Sequence, residues 1–112
     1  MIIIISSQKP DPDSAVDPRF GRAACLLKYD TSLQTWDALE NPGFTQSGGA
    51  GVAAAQFAID HHANVVLSGD FGPNASSALK AAGVEMSLFS KEVPSVRAAV
   101  EQFLEKNMQD LD

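Results

Sequence analysis

Ile2-Ile3-Ile4-Ile5-Ser6 is a β-branched run broken by nothing polar before its last residue. Such a run predicts a short strand buried on both faces, as at the centre of a parallel sheet. A polar stretch with three prolines, Gln8 to Arg22, follows it. Cys25 to Asp30 and Gln34 to Glu40 predict two further strands. Asp30-Thr31-Ser32 between them is turn chemistry, so the pair reads as a hairpin. Tyr29 and Trp36, on its two arms, are expected to pack over the core or a helix.

Beyond a Gly-, Pro- and Ser-rich loop, Asn41 to Gly49, the period lengthens. Ala50 to His62 predicts a helix with Val52, Ala55 and Ile59 on one face. Asn64 to Ser68 predicts a strand, and Gly69 to Asn74 a tight loop. The next helix turns Ala75, Ala78, Leu79 and Ala82 inward and stops at Gly83. Val84 to Phe89, with Met86 in the core, predicts the last strand. The last helix starts near Pro94 and carries Val96, Ala99, Val100, Phe103 and Leu104 at helical spacing. The order βββαβαβα defines an α/β fold. Its alternating second half builds parallel strands through right-handed crossovers, and the hairpin makes the five-stranded sheet mixed. Residues 1–107 form a single domain, and the polar end, 108–112 with Met108, is expected to be disordered.

Composition fits one globular domain: 112 residues, 45% hydrophobic and 20% charged. The net charge of -6 and the lack of any Lys/Arg run argue against a nucleic-acid partner. A single cysteine, Cys25, forms no internal disulfide and supplies no thiolate-only metal site. No segment has the length of a membrane span. Met1 runs straight into the isoleucines with no basic region before them, so no signal peptide is read, and the expected location is the cytoplasm.

In open α/β sheets ligands bind beyond the carboxyl ends of parallel strands. Three unusual loops are expected there. Asp17-Pro18-Arg19-Phe20-Gly21-Arg22-Ala23 carries two arginines, whose planar forks suit oxyanions and polarisable anions. The alternative is that both arginines simply pair with acidic neighbours such as Asp11, Asp13 or Asp17. Ser47-Gly48-Gly49-Ala50-Gly51 opens a helix. Its N–H groups and the positive helix end offer an anion site, although a tight strand-to-helix turn explains the glycines as well. The segment lacks the Lys-Ser/Thr of a P-loop and the spacing of a dinucleotide fingerprint. Gly69-Asp70-Phe71-Gly72-Pro73-Asn74 begins another helix, with Pro73 in its first turn and Asn74 as a candidate cap. Together these loops predict a cationic, backbone-rich site for a bulky anion.

Nitrogen and sulfur ligands are few. His61 and His62 close the first helix at the pole opposite the glycines, where capping explains them better than metal ligation. Cys25 reads as a small buried hydrophobe, with reach into the site as the alternative. These three are the candidates for direct metal coordination.

The segments VDPRFGRA (16–23), SGGAGVAAAQ (47–56) and GPNASSALKAAGV (72–84), in that order after a short aliphatic strand, resemble the dinitrogenase iron–molybdenum cofactor-binding family from Ile2 to about Phe103. The resemblance implies a ribonuclease H-like fold, a five-stranded mixed sheet flanked by helices. It also implies non-catalytic binding or carriage of a metal–sulfur cluster, of Fe-Mo type or a mixed molybdenum–copper sulfide, held without covalent attachment. Implied partners are cluster donors and acceptors and ParA/MinD-type ATPases, with a monomer the expected state. Arg19, Gly21 and Arg22, then Gly48 to Gly51, then Gly72, Pro73 and Asn74 match the family's segments. No histidine or cysteine ligand maps onto the chain, and Val52 stands where one would be convenient. Holding by charge and hydrogen bonds is therefore expected, against an apolar wall of Phe20 or Phe71. A regulatory or scaffold module is the alternative role. A nuclease, suggested by the implied fold alone, needs clustered carboxylates, and the first strand has none.

Overall fold

The computed structural model describes residues 1–110, with side chains described through Asn107. Its elements are β1 (Ile2–Ser7), β2 (Cys25–Asp30), β3 (Thr35–Glu40), a 3-10 turn at Pro42–Thr45, α1 (Ala50–Asp60), β4 (Val65–Ser68), α2 (Pro73–Ala81), β5 (Glu85–Leu88) and α3 (Val96–Asp110). The five described strands lie in the order β3-β2-β1-β4-β5. β2 is antiparallel to both β1 and β3, whereas β1, β4 and β5 are parallel. Two reversals restore direction, so β3 also points the way β1 does. The loops that follow β1, β3 and β4 therefore all leave one edge of the sheet, and this positions the site.

The central strand divides the core. Ile3 and Ile5 join Leu27, Val65 and Leu67 beneath Val96, Val100 and Phe103 of α3. Ile4 faces the other way, with Leu26 and Val66, against Ala54, Ala55 and Ala58 of α1 and Ala75 and Leu79 of α2. Side chains alternate across a strand, so an unbroken isoleucine run serves both layers. Ile3, Ile4 and Ile5 are all fully buried, each stabilising the fold by about 1.5–3 kcal/mol. Tyr29 and Trp36 stack at 4.6 Å beside α3, and the Arg97 guanidinium lies 5.7 Å from the Trp36 ring. No helix of the described residues is long and apolar enough to cross a membrane.

Several sequence expectations need correction. The buried stripe of α1 is Ala50, Ala54, Ala55 and Ala58, whereas Val52 is exposed and Ile59 half-buried. The helix meets the sheet through its small residues, and Val52, in the first turn, looks toward the strand ends instead. Ala82 is exposed because α2 has already ended at Ala81. Met86 is half-buried, on the outermost parallel strand. β3 starts at Thr35, since Gln34 has a positive φ of 56° within the turn. α1 ends at Asp60, and His62 takes the left-handed conformation at φ 62°. The His62 N–H bonds the Ile59 carbonyl at 3.0 Å and the Ala63 N–H the Ala58 carbonyl at 3.1 Å. That is a Schellman ending with histidine where α2 uses Gly83, whose φ is 76°. α3 follows Ser95, whose Oγ accepts the Ala98 N–H at 3.1 Å. The end expected to be disordered, 108–112, lies outside the residues whose side chains are described.

Candidate functional site

The loop after β1 returns to the sheet edge before β2 begins. The buried Ser6 and Ser68 hydroxyls share a 2.8 Å hydrogen bond and reach the Asp17 carbonyl at 2.7 Å and the Pro18 carbonyl at 3.3 Å. They pin the loop across the ends of β1 and β4. Arg19 then bridges to Asp70 in parallel fashion. Beyond it, the Ala23 N–H bonds back to the Arg19 carbonyl at 2.9 Å, closing a tight turn.

Both readings of the arginines hold at Arg19. Asp17 is buried and accepts the Arg19 backbone N–H at 2.9 Å, its Nε at 3.2 Å and its Nη2 at 3.1 Å. The Arg19 side chain nevertheless stays 66% exposed and lines the cleft. Hydrogen bonding to Asp17, and then its charge, holds the Arg19 guanidinium above its ordinary range, so it stays charged. Arg22 has no carboxylate partner among the described residues. Its Nη1 donates to the Gln46 carbonyl instead.

Two helix N-termini face this loop. α1 begins after Gly49 in the left-handed conformation (φ 71°), and α2 after Gly72 in an extended one (φ -66°). Neither end receives a side-chain cap. The N–H groups of Ala50, Gly51, Val52, Asn74 and Ala75 therefore lack an intrahelical partner, and Pro73 has no N–H to offer. Asn74, a candidate cap in the sequence, is the second residue of α2 and lines the cleft. A helix caps from the residue before its first turn, and Pro73 fixes that place at Gly72.

The close approach of the three segments depends on missing side chains. A Cβ on Gly21 would lie 2.8 Å from the Gly51 nitrogen. One on Gly43 would strike the carbonyls of Gly21 and Ala50. Backbone packs on backbone here, and any larger residue would hold the segments apart.

The result is one cleft of about 330 Å³, lined by residues 19–22, 49–52, 70 and 72–75. It unites Arg19, Phe20, Gly21 and Arg22 with Gly49, Ala50 and Gly51 and with Gly72, Pro73 and Asn74. Ser47 and Gly48 are exposed and outside it, because α1 begins only at Ala50. Phe71 is also outside, stacked on Phe20 at 5.3 Å so that it backs the wall. Asp70, from a loop expected at this edge, lines the cleft, and so do Val52, which the helical period placed on the inward face, and Ala75. Val52 and Ala75 are third residues of their helices, so treating each whole first turn as the cradle would have found both. Asp70 also tempers the cationic site expected from the sequence. Arg19 and Asp17 cancel formally, and so do Arg22 and Asp70, which line the same cleft without forming an ion pair. What stays positive is the pair of helix ends, about half a charge each.

The metal-ligand candidates lie elsewhere. Cys25 lines a separate hollow with Glu40, Asn41 and Phe44. Burial pushes its thiol pKa up, and the Glu40 charge adds to this, so the thiolate that binds metals is disfavoured. His61 sits at the far end of α1, its ring 4.3 Å from Phe57, and His62 is exposed beside it. Among the described residues no three His, Cys, Asp or Glu side chains group as a metal site. A bulky anion fits this donor set, which is rich in N–H groups and poor in ligating side chains.

Solved structures share the overall fold. The orange protein from Desulfovibrio gigas, solved in its apo form, is 39% identical, with TM-score 0.87 over 94% of this chain and 88% of its own. A Thermotoga protein described as of NifB type is 30% identical, with TM-score 0.80 over 93% of this chain and 87% of its own. A third solved chain, 20% identical with TM-score 0.75, shares the fold. No curated protein matches. Residues 1–106 match the family described as dinitrogenase iron-molybdenum cofactor, and the chain belongs to that family.

Proposed function

We propose that the protein binds and carries, or stores, an anionic metal–sulfur cluster without catalysing a reaction. The observation that carries this reading is the convergence of two uncapped helix N-termini and both loop arginines on one cleft. A thiometalate is large, soft and negatively charged. Backbone N–H groups and guanidinium forks hold such a guest without entering its coordination sphere. Phe20, 2% exposed and backed by Phe71, is an apolar support behind the cleft lining.

The finer assignment is a molybdenum–copper sulfide or a related Fe-Mo-type cluster, held non-covalently. Family membership and the likeness to the orange protein support it, as does the lack of a grouped ligand set among the described residues. The strand order, with β2 antiparallel and the other strands aligned, supports a ribonuclease H-like label for the fold. A metal-dependent nuclease is disfavoured because the described residues group no carboxylates to hold cations.

The test is reconstitution. The purified chain, mixed with tetrathiomolybdate and copper and then desalted, should keep a visible chromophore with molybdenum in fixed ratio to protein. Arg19→Ala with Arg22→Ala should retain much less. A colourless wild-type eluate, or a double variant that retains as much as wild type, rejects the reading.

A further inference from the structure

We infer that Asn41 is the positioning residue for Arg22, acting from beneath the cleft on both its main chain and its guanidinium. The inference deepens the proposed anion site and rests on it for its functional meaning. Asn41 is 3% exposed. Its Nδ2 donates to the Phe20 carbonyl at 3.0 Å and the Ala23 carbonyl at 2.9 Å, and its Oδ1 accepts the Gly43 N–H at 3.0 Å. Two carbonyls on one side and an N–H on the other leave only one orientation for the amide.

The two carbonyls bracket Gly21 and Arg22, so the NH2 group closes that loop from below. The Gly43 N–H opens the 3-10 turn, and the Gln46 N–H returns to the Gly43 carbonyl at 3.2 Å. The Gln46 carbonyl then accepts from Arg22 Nη1. One side chain thus fixes the arginine at both ends: the main chain through two donors, and the guanidinium through the turn it caps. A buried amide carries a desolvation cost that an apolar side chain avoids. The geometry of this loop is what the amide supplies here.

Asn41→Ser and Asn41→Asp both keep an oxygen able to accept the Gly43 N–H; aspartate removes both donors, and serine leaves a single hydroxyl proton for two carbonyls. Serine is the milder change and serves where aspartate, facing two carbonyls, fails to fold. The readout is the affinity of the whole chain for tetrathiomolybdate, measured in wild-type and Arg22→Ala backgrounds. Asn41→Ser should weaken binding about tenfold in the first and less than about twofold in the second, because the two residues act as one unit. Equal losses in both backgrounds overturn the inference and leave Asn41 a general fold residue. If the wild-type chain does not bind tetrathiomolybdate, the proposed function fails and NMR of the unliganded chain judges Asn41 alone. An Arg22 side-chain Nε–H signal that shifts or broadens in Asn41→Ser supports the positioning role, and an unchanged signal overturns it.

Discussion

The amide nitrogen of Gly51 stands so close to Gly21 that a methyl group on Gly21 would meet it at 2.8 Å. Behind that contact Gly43 packs on the Gly21 carbonyl, and a Cβ there would also meet the Ala50 carbonyl at 2.5 Å. These obstacles are backbone atoms, which cannot swing aside. Gly21→Ala and Gly43→Ala should each destabilise the fold by about 1–3 kcal/mol or more. Gly48, with nothing within 4 Å of its virtual Cβ, should accept alanine within about 0.5 kcal/mol. Urea denaturation of the three variants reads the contrast directly, and equal midpoints for all three would contradict it.

Asp70 is exposed on the cleft lining, and among the described residues its carboxylate has no ion-pair partner. A carboxylate facing an anion opposes its binding. Asp70→Asn should therefore tighten tetrathiomolybdate binding about three- to tenfold at low salt, and added salt should shrink the gain because the group is exposed. Arg22→Ala should move the affinity the other way. Titration at two ionic strengths checks both signs.

Cys25 gives a pH-dependent test. Burial and the neighbouring Glu40 charge both raise its thiol pKa. The unfolded chain then loses this proton first. The thiol's contribution to stability is full below the ordinary thiol pKa and is lost as pH rises through the folded value. Near neutral pH, iodoacetamide should react with native Cys25 more slowly than with a free cysteine, and Glu40→Gln should speed the reaction. Cys25→Ala should leave tetrathiomolybdate retention unchanged, because the thiol lines a different hollow from the cleft. Loss of the chromophore in that variant would reinstate Cys25 as a ligand.

His62 and Gly83 occupy equivalent places after α1 and α2, both with positive φ. Histidine bears the left-handed penalty and glycine does not. His62→Gly should raise stability by about 0.5–1 kcal/mol, net of glycine's greater freedom when unfolded. Gly83→Ala should lower it by about 1–2 kcal/mol. Thermal melts of the pair should shift in opposite directions.

The element order was legible because the hydrophobic period changes at each boundary: an isoleucine run, alternating hairpin arms, then spaced apolar residues on the helices. The glycine and proline punctuation around Gly49, Gly72 and Gly83 located the helix ends to within a residue or two. These are local properties, set by side-chain shape and backbone sterics, so the chain alone determined them. Which loops would meet was also inferable, since strand direction follows from element order.

Only the folded chain decided what the meeting loops do to one another. Asp17 lies two residues from Arg19 in sequence, yet its burial, not its spacing, makes it the arginine's anchor. Asn41 read as ordinary loop chemistry until three partners from distant segments surrounded it. Val52 seemed a core residue because period alone does not say which small side chains a helix turns toward its sheet. Asp70 altered the charge of a cleft that sequence had painted positive. Each of these depends on long-range proximity, where dielectric, desolvation and steric exclusion are set by neighbours far apart in the chain.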